Sequence, residues 1–430
     1  MGQPSLLILA GVAALHQTRH ETAAAELERS AARARARGGS AAAAAFLRRA
    51  AEISAEPAAR AGRALEAAHE AGATDAAREL SAMAAAGPLD ALRRARLQLL
   101  RAQIAFRTTR GSDAPAMLMD AAATLVPLDA ALARETYLQA IEASFHAGRL
   151  GRDRGLLEAA EAGLAAPTAA TPPRPVDVLI EGLATTFRHG YEAGVPVLQR
   201  ALTMLHADTD DDNRRWLWLA CHVAATLWDD EAIHALAERD VRLGRAAGAL
   251  ATLPAAVNAL SSTLVLTGEF ARAAELIAEE QAIAEITGAP RLPNARLTLA
   301  SWSGRRSETR ELYATVIADA TARGEGATVG MAEVALAYLY NGVGDYDAAL
   351  AAATAACEYD ELAYSSVALP ELVEAAVRSG EPDRAAAAAE RLSGRAHASH
   401  DPVVATDAEV VLGGDTAGEV QRVLAGQHHG

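Results

Sequence analysis

Apolar positions recur along the chain at three- and four-residue intervals, and long runs of alternating β-branched residues are missing, so the pattern predicts helices throughout. In LAYLYNGVGDYDAALAAATAA, residues 336–356, Leu336, Ala337 and Tyr340 share one helical face. Gly344 turns the chain, Tyr346 packs into the elbow, and Ala349 and Ala356 allow the second helix to approach closely. LSSTLVLTGEFARAAELI repeats the arrangement, with Leu260, Leu264, Gly268, Phe270 and Ala273 in the same register. Each such pair is marginal alone and needs neighbours to bury its apolar face.

Turns fall near Gly39, Gly72, Gly111, Gly148, Gly190, Asp229, Gly268, Gly304, Gly344 and Gly380, at intervals of 33 to 42 residues. A period that steady marks stacked helix pairs, and the spacing resembles the tetratricopeptide repeat. The expected fold is all-α: a right-handed solenoid of stacked antiparallel helix pairs, about ten in number. AAPTAATPPRPVD, residues 165–177, holds four prolines and cannot continue a helix. It is expected to be a joint between two parts of the array, 1–164 and 178–400, with a divergent, loosely ordered tail at 401–430.

Composition sharpens this picture. Alanine supplies much of the 51% hydrophobic content and aromatics only 4%, a balance that favours helix. All forty basic residues are arginine. Without lysine there is no Walker lysine for nucleotide phosphates, no Schiff base and no kinase-type ATP anchor. A formal net charge of −15 argues against a broad nucleic-acid-binding face, and the arginine-rich RARARG at 33–38 is read as a helix end complementing its dipole. The two cysteines are expected to be buried free thiols in a reducing cytoplasm. SLLILAGVAAL near the start is too short to span a bilayer and is read as a core helix, so no membrane partner is expected.

Candidate chemistry concentrates in RRWLWLACHVAATLWDDEAI, residues 214–233, with three of the four tryptophans. Trp216, Ala220, Val223 and Leu227 form one helical stripe; Trp218, Cys221, Ala225 and Trp228 form another. Cys221 and His222 are adjacent and point about 100° apart on a helix, so a thiol–imidazole pair is not expected. The aspartate-rich ADTDDDN at 207–213 lacks the glycine and terminal glutamate of a calcium loop and is read as a helix cap. The pairs His16/His20, His397/His400 and His428/His429 have no convincing further ligands. No catalytic residue, metal site or cofactor is therefore expected.

Several phrases also resemble a known group. RRWLWLACHVAATLWDDEAI, PLDAALARETYLQAI (127–141), AAELERSAARARARGG (24–39), LLRAQIAFRTTRGSDAP (99–115) and YNGVGDYDAALAAA (340–353) are similar to the large ATP-binding LuxR-type transcriptional regulators of actinobacteria and to maltose-regulator-like signalling ATPases. The likeness runs from about residue 15 to about residue 400. The resemblance implies a repeat region lying between an ATPase module and a DNA-binding helix-turn-helix, acting as a sensor or scaffold without catalysis. The chain matches only that middle region, so no ATP or DNA site is carried onto it. A free-standing tetratricopeptide-like interaction scaffold is the alternative; an enzyme is a distant third. The expected partner is a protein or small-molecule effector held in the repeat groove, with self-association a further option. The residues assigned to that groove are Tyr338 and Asn341, Asn258 and Ser262, and Asn294 and Thr298; Asn258 and Asn294 occupy the same position in adjacent repeats.

Overall fold

The structure is a computed structural model describing residues 6–37, 39–72, 75–109, 113–151, 155–168, 172–208, 211–250, 252–287, 291–359 and 361–399, with side chains described from residue 20 onward except at 109, 211 and 212. The tail at 401–430, Gly111, His400, His428 and His429 lie outside these residues, as do the side chains of the apolar run at the start and of His16. Among the described residues the chain is helical with no strands. It divides into two compact units, Met1–Ala140 and Ile141–Gly430.

The first unit contains α1 (Leu6–Arg35), α2 (Ser40–Ile53), α3 (Pro57–Ala71), α4 (Asp75–Ala85), α5 (Ala91–Thr109), α6 (Ala114–Leu125) and the start of α7 (Ala130–Ala147). Each helix from α1 to α5 packs on the next. Its core is built from small residues: Ala43, Ala51, Ala64, Ala68 and Ala77 are wholly buried and fill the spaces between Leu47, Leu65, Leu80, Leu97 and Leu100. Alanine at these contacts lets helix axes come close, which is why so alanine-rich a sequence still makes a dense interior.

In the second unit the end of α7 runs into a 3₁₀ turn, Gly148–Leu150. Then follow α8 (Leu156–Ala165), α9 (Pro175–His189), α10 (Tyr191–Ala207), a 3₁₀ turn (Asp211–Trp216), α11 (Leu217–Thr226), α12 (Asp230–Ala246), α13 (Leu253–Leu266), α14 (Phe270–Thr287), α15 (Asn294–Trp302), α16 (Arg306–Arg323), α17 (Gly326–Gly342), α18 (Tyr346–Cys357), α19 (Tyr364–Arg378) and α20 (Pro382–Ser399). The proline-rich stretch 165–177 lies within this unit. Its last proline, Pro175, opens α9, where a missing N–H costs nothing, and the Asp177 carboxylate accepts the Arg174 backbone N–H at 3.0 Å.

Successive pairs repeat one turn. At Gly268, φ is +81°, the Glu269 N–H reaches back to the Leu264 carbonyl at 2.8 Å, and an added Cβ would meet nothing. Glycine is needed there for its left-handed backbone, not for space. The same bond joins Asp345 to Tyr340 and Glu381 to Ala376, each at 2.9 Å. Between α11 and α12 the turn falls one residue before the expected Asp229. Trp228 takes the glycine position at φ +54°, while Asp229 caps α12 by accepting the Ala232 N–H at 3.0 Å. The elbow after Gly344 is closed by Tyr346, whose ring lies under the Arg378 guanidinium at 5.5 Å.

The first helices of these pairs make a circuit: α11, α13, α15, α17 and α19 touch in succession, and α19 returns to α11. Outside them, α10 packs against α20.

Candidate functional site

The circuit closes through a small polar seam. The Thr226 carbonyl, at the end of α11, accepts the Tyr191 hydroxyl at 3.0 Å and the Ser366 hydroxyl at 3.2 Å. The Thr226 hydroxyl oxygen accepts the Ala363 N–H at 2.8 Å, just before α19. The Arg395 guanidinium donates to Ser366 at 2.8 Å and stacks over the Tyr191 ring at 5.1 Å. Ala363 itself has φ +65° and ψ −57°, and the Tyr364 N–H bonds the Leu362 carbonyl at 2.9 Å across it. That is a γ-turn, a strained conformation for a residue with a Cβ. With Trp228, the two non-glycine residues of positive φ among those described both lie close in sequence to this seam.

The circuit is also filled by the chain itself. The Phe145 ring packs against Trp218 and His222 of α11 and Tyr364 of α19, with centroids 5.7, 5.1 and 5.8 Å away. His146 stacks on Trp218 at 4.5 Å. Three residues after His146, the Arg149 backbone N–H, Nε and Nη2 all donate to the Glu361 carboxylate, at 3.1, 3.2 and 3.2 Å. Its Nη1 donates to the Ala355 carbonyl at 3.1 Å, and its guanidinium lies over Tyr359 at 4.8 Å. The Arg149 side chain is 10% exposed and Glu361 6%, so the two charges compensate each other out of water. The backbone approach is equally close. A Cβ on Gly326 would stand 2.3 Å from the Ala147 carbonyl oxygen and 2.7 Å from the Arg149 nitrogen. Segment 145–150 therefore sits against α11, α17 and α19 where an open groove was expected to face them.

Trp216 is 1% exposed and fills the core, whereas Trp218 and Trp228 are half-buried. Cys221 and His222 face different neighbours. The Cys221 thiol points toward the Ile233 carbonyl of α12, 3.9 Å away, and burial raises its pKa, which disfavours the thiolate that a nucleophile needs. His222 Nδ1 lies 2.9 Å from the Trp218 carbonyl, and burial lowers its pKa to about 4, keeping it neutral inside the aromatic cluster. No group of three His, Cys, Asp or Glu side chains converges as a metal site among the described residues, and none of the described helices is long and apolar enough to cross a membrane.

The six residues assigned to a groove divide into two kinds. Asn258, Thr298 and Asn341 are buried. The Asn258 amide donates to the Leu292 carbonyl ahead of α15 at 3.2 Å, tying one repeat to the next. The Asn341 amide does the same between α17 and α19, reaching the Glu371 carbonyl at 3.0 Å and its carboxylate at 2.7 Å. Thr298 donates to the Asn294 carbonyl of its own helix at 2.9 Å. Ser262, Asn294 and Tyr338 are half-buried, and the Tyr338 ring lies 5.4 Å from Trp302. Burial pushes the Glu371 carboxyl up to about 7; the Asn341 amide bond opposes this, and nearby Glu374 adds to it. Glu371, Arg149 and Glu361 were not singled out from sequence. A polar residue inside an apolar helical stripe was the only signal available for Glu371.

These features define an all-α helical-repeat protein. No family model matches the chain, and no curated protein matches it. Among solved structures it is similar to a Rap protein complexed with competence and sporulation factor, at 12% identity over 86% of this chain and 87% of that one, with a TM-score of 0.30. It is also similar to a circular tandem repeat protein with novel repeat topology and enhanced subunit contact surfaces, at 15% identity over 94% and 90%, with a TM-score of 0.16. At such identities and scores neither match bears on function.

Proposed function

We propose that the chain is a non-catalytic scaffold or sensor region that binds a protein or small-molecule effector through its helical repeats. The observation that carries this reading is the state of the most reactive side chains. Cys221 is buried and His222 half-buried, each facing different neighbours and held in its neutral form, while the polar residues of the inner helices tie repeats together. Helical repeats of this kind present long, continuous surfaces to partners. In this reading the effector meets the arc formed by α13 and α15, where Ser262 and Asn294 keep exposed edges, with Tyr338 further round on α17; Asn258, Thr298 and Asn341 support that face from beneath. The phrases similar to LuxR-type ATP-dependent regulators support a role as the sensor part of such a regulator, acting in the cytoplasm, with a free-standing interaction scaffold as the second reading.

Capture from native lysate on the immobilised full chain, with profiling of co-purifying small molecules and proteins, tests the proposal. Replacing Ser262 and Asn294 together by alanine is expected to reduce the captured species about tenfold without moving the melting temperature. Capture that is unspecific, or equal for the variant and the wild type, contradicts the assigned face. A neighbouring reading frame encoding an ATPase or a helix-turn-helix distinguishes the regulator from the free-standing scaffold.

A further inference from the structure

A second surface, in the first unit, carries its own chemistry and does not rest on the reading above. Helix α5 reads ALRRARLQLLRAQIAFRTT: five arginines (Arg93, Arg94, Arg96, Arg101 and Arg107) and no acidic residue, within a chain of net charge −15. Two of these are engaged, Arg93 with Asp90 at 3.4 Å and Arg96 with Asp129 at 3.8 Å. Arg94 and Arg101 are exposed, and neither guanidinium bonds a protein group among the described residues; nor does the Gln98 amide between them. Residues 94, 98 and 101 fall on one face of the helix, at intervals of four and three.

That face lines a cleft of about 570 Å³ between the end of α4, α5 and α6. The rest of the lining is mainly apolar, with Pro88, Leu89, Leu97 and Met117, and Asp120 stands at α6. The cleft thus offers two cations, an amide and an oily wall. Along the helix the two arginines are separated by seven residues, roughly 10 Å. A polyproline II peptide brings residues i and i+3 onto one face about 9 Å apart, leaving the residues between them free to face the wall.

We propose that this cleft binds an extended acidic peptide carrying carboxylates three residues apart, one on Arg94 and one on Arg101, with an intervening apolar side chain against Leu89, Leu97 and Met117. Arginine suits the task because its planar fork matches a carboxylate in two parallel hydrogen bonds. Two exposed cations in a chain of net charge −15 give a nucleic-acid strand no continuous basic track, whereas a short peptide needs only the two carboxylates that meet them.

The test is fluorescence anisotropy of the full chain with labelled Glu-Pro-Leu-Glu-Pro-Leu, with Gln-Pro-Leu-Gln-Pro-Leu and with labelled oligothymidine. Saturable binding of the acidic peptide is expected, weakened about tenfold or more by Arg94→Glu, by Arg101→Glu and by the glutamine peptide. Arg384→Glu, an equal charge change on α20, should leave it unchanged. Thermal melting by circular dichroism accompanies each variant; Arg94→Gln and Arg101→Gln replace any charge reversal that lowers the melting temperature. Absence of saturable binding, equal affinity for the glutamine peptide, equal effects at residues 94, 101 and 384, or tighter binding of oligothymidine each overturns the proposal.

Discussion

Replacing Glu361 by alanine probes the contact on which the second unit depends. In the wild type this carboxylate receives three N–H groups of Arg149, and the pair is almost fully withdrawn from water. Removing the carboxylate leaves the guanidinium buried with only the Ala355 carbonyl and the Tyr359 ring as partners. Breaking one side of a buried pair typically costs about 3–5 kcal/mol, because an uncompensated charge remains. Replacing both partners with apolar residues of similar volume, Arg149→Met with Glu361→Leu, removes the orphan charge and should recover most of that loss. Urea unfolding followed by tryptophan fluorescence is a suitable assay, since Trp216, Trp218, Trp228 and Trp302 all lie in the second unit. A loss below about 0.5 kcal/mol, the range of ordinary surface substitutions, would refute the reasoning by showing the pair to be solvated. A double variant no more stable than Glu361→Ala would refute the role of the stranded charge.

Other perturbations separate packing, backbone and charge. Trp216→Ala should cost about 3–5 kcal/mol in the same assay, as for a large side chain lost from a closed core; a change below about 0.5 kcal/mol would place the indole at the surface. Gly326→Ala sets a methyl against the Ala147 carbonyl and should cost about 1–3 kcal/mol, whereas Gly342→Ala, which meets nothing, should not destabilise; equal effects would contradict the close approach of segment 145–150. Gly268→Ala, with open space but φ +81°, should cost about 1–2 kcal/mol through the backbone alone, read by thermal melting. Two half-buried groups should give opposite pH signatures. His222, lowered to about 4 from 6.5, contributes stability that is lost as pH falls from 6.5 through 4, so His222→Phe should flatten that acid-side loss. Glu371, raised to about 7 from 4.5, favours its protonated form in the fold. Its contribution is lost as pH rises from 4.5 through 7, and Glu371→Gln should gain on the wild type across that window in pH-dependent urea melts. An unchanged difference across the window would show the carboxyl to be solvated.

Much of the fold could be read in the sequence because the repeat punctuates itself. Glycines at 268, 304, 344 and 380 each end a first helix, and the apolar spacing between them has one helical period. Trp216 was legible for the same reason, as part of an unbroken stripe. The turn at Trp228 was misplaced by one residue because a tryptophan gives no sign that it will take a glycine's backbone. Asn258 and Asn341 were assigned to a groove because their repeat position is polar. That position borders the next helix pair, and their amides are spent on its backbone. The turn at Gly148 was legible, but the docking of segment 145–150 was not: its partners lie at residues 218, 326 and 361, and periodicity carries no information about contacts between distant repeats. The cleft beside α5 was hidden differently. Its arginines were counted in a total charge that is negative, and only placement on one helix face sets Arg94 and Arg101 side by side.

Hydrogen exchange of the backbone amides over residues 143–151 tests most directly whether the second unit is closed around its own chain. If Arg149 is locked onto Glu361 and its neighbours are wedged against α11, α17 and α19, peptides spanning these residues should exchange as slowly as those from α17, and Glu361→Ala should speed them selectively. Exchange at the rate of an exposed loop in the wild-type chain would mean that the segment does not occupy the circuit, and that the inner face of the repeats is open.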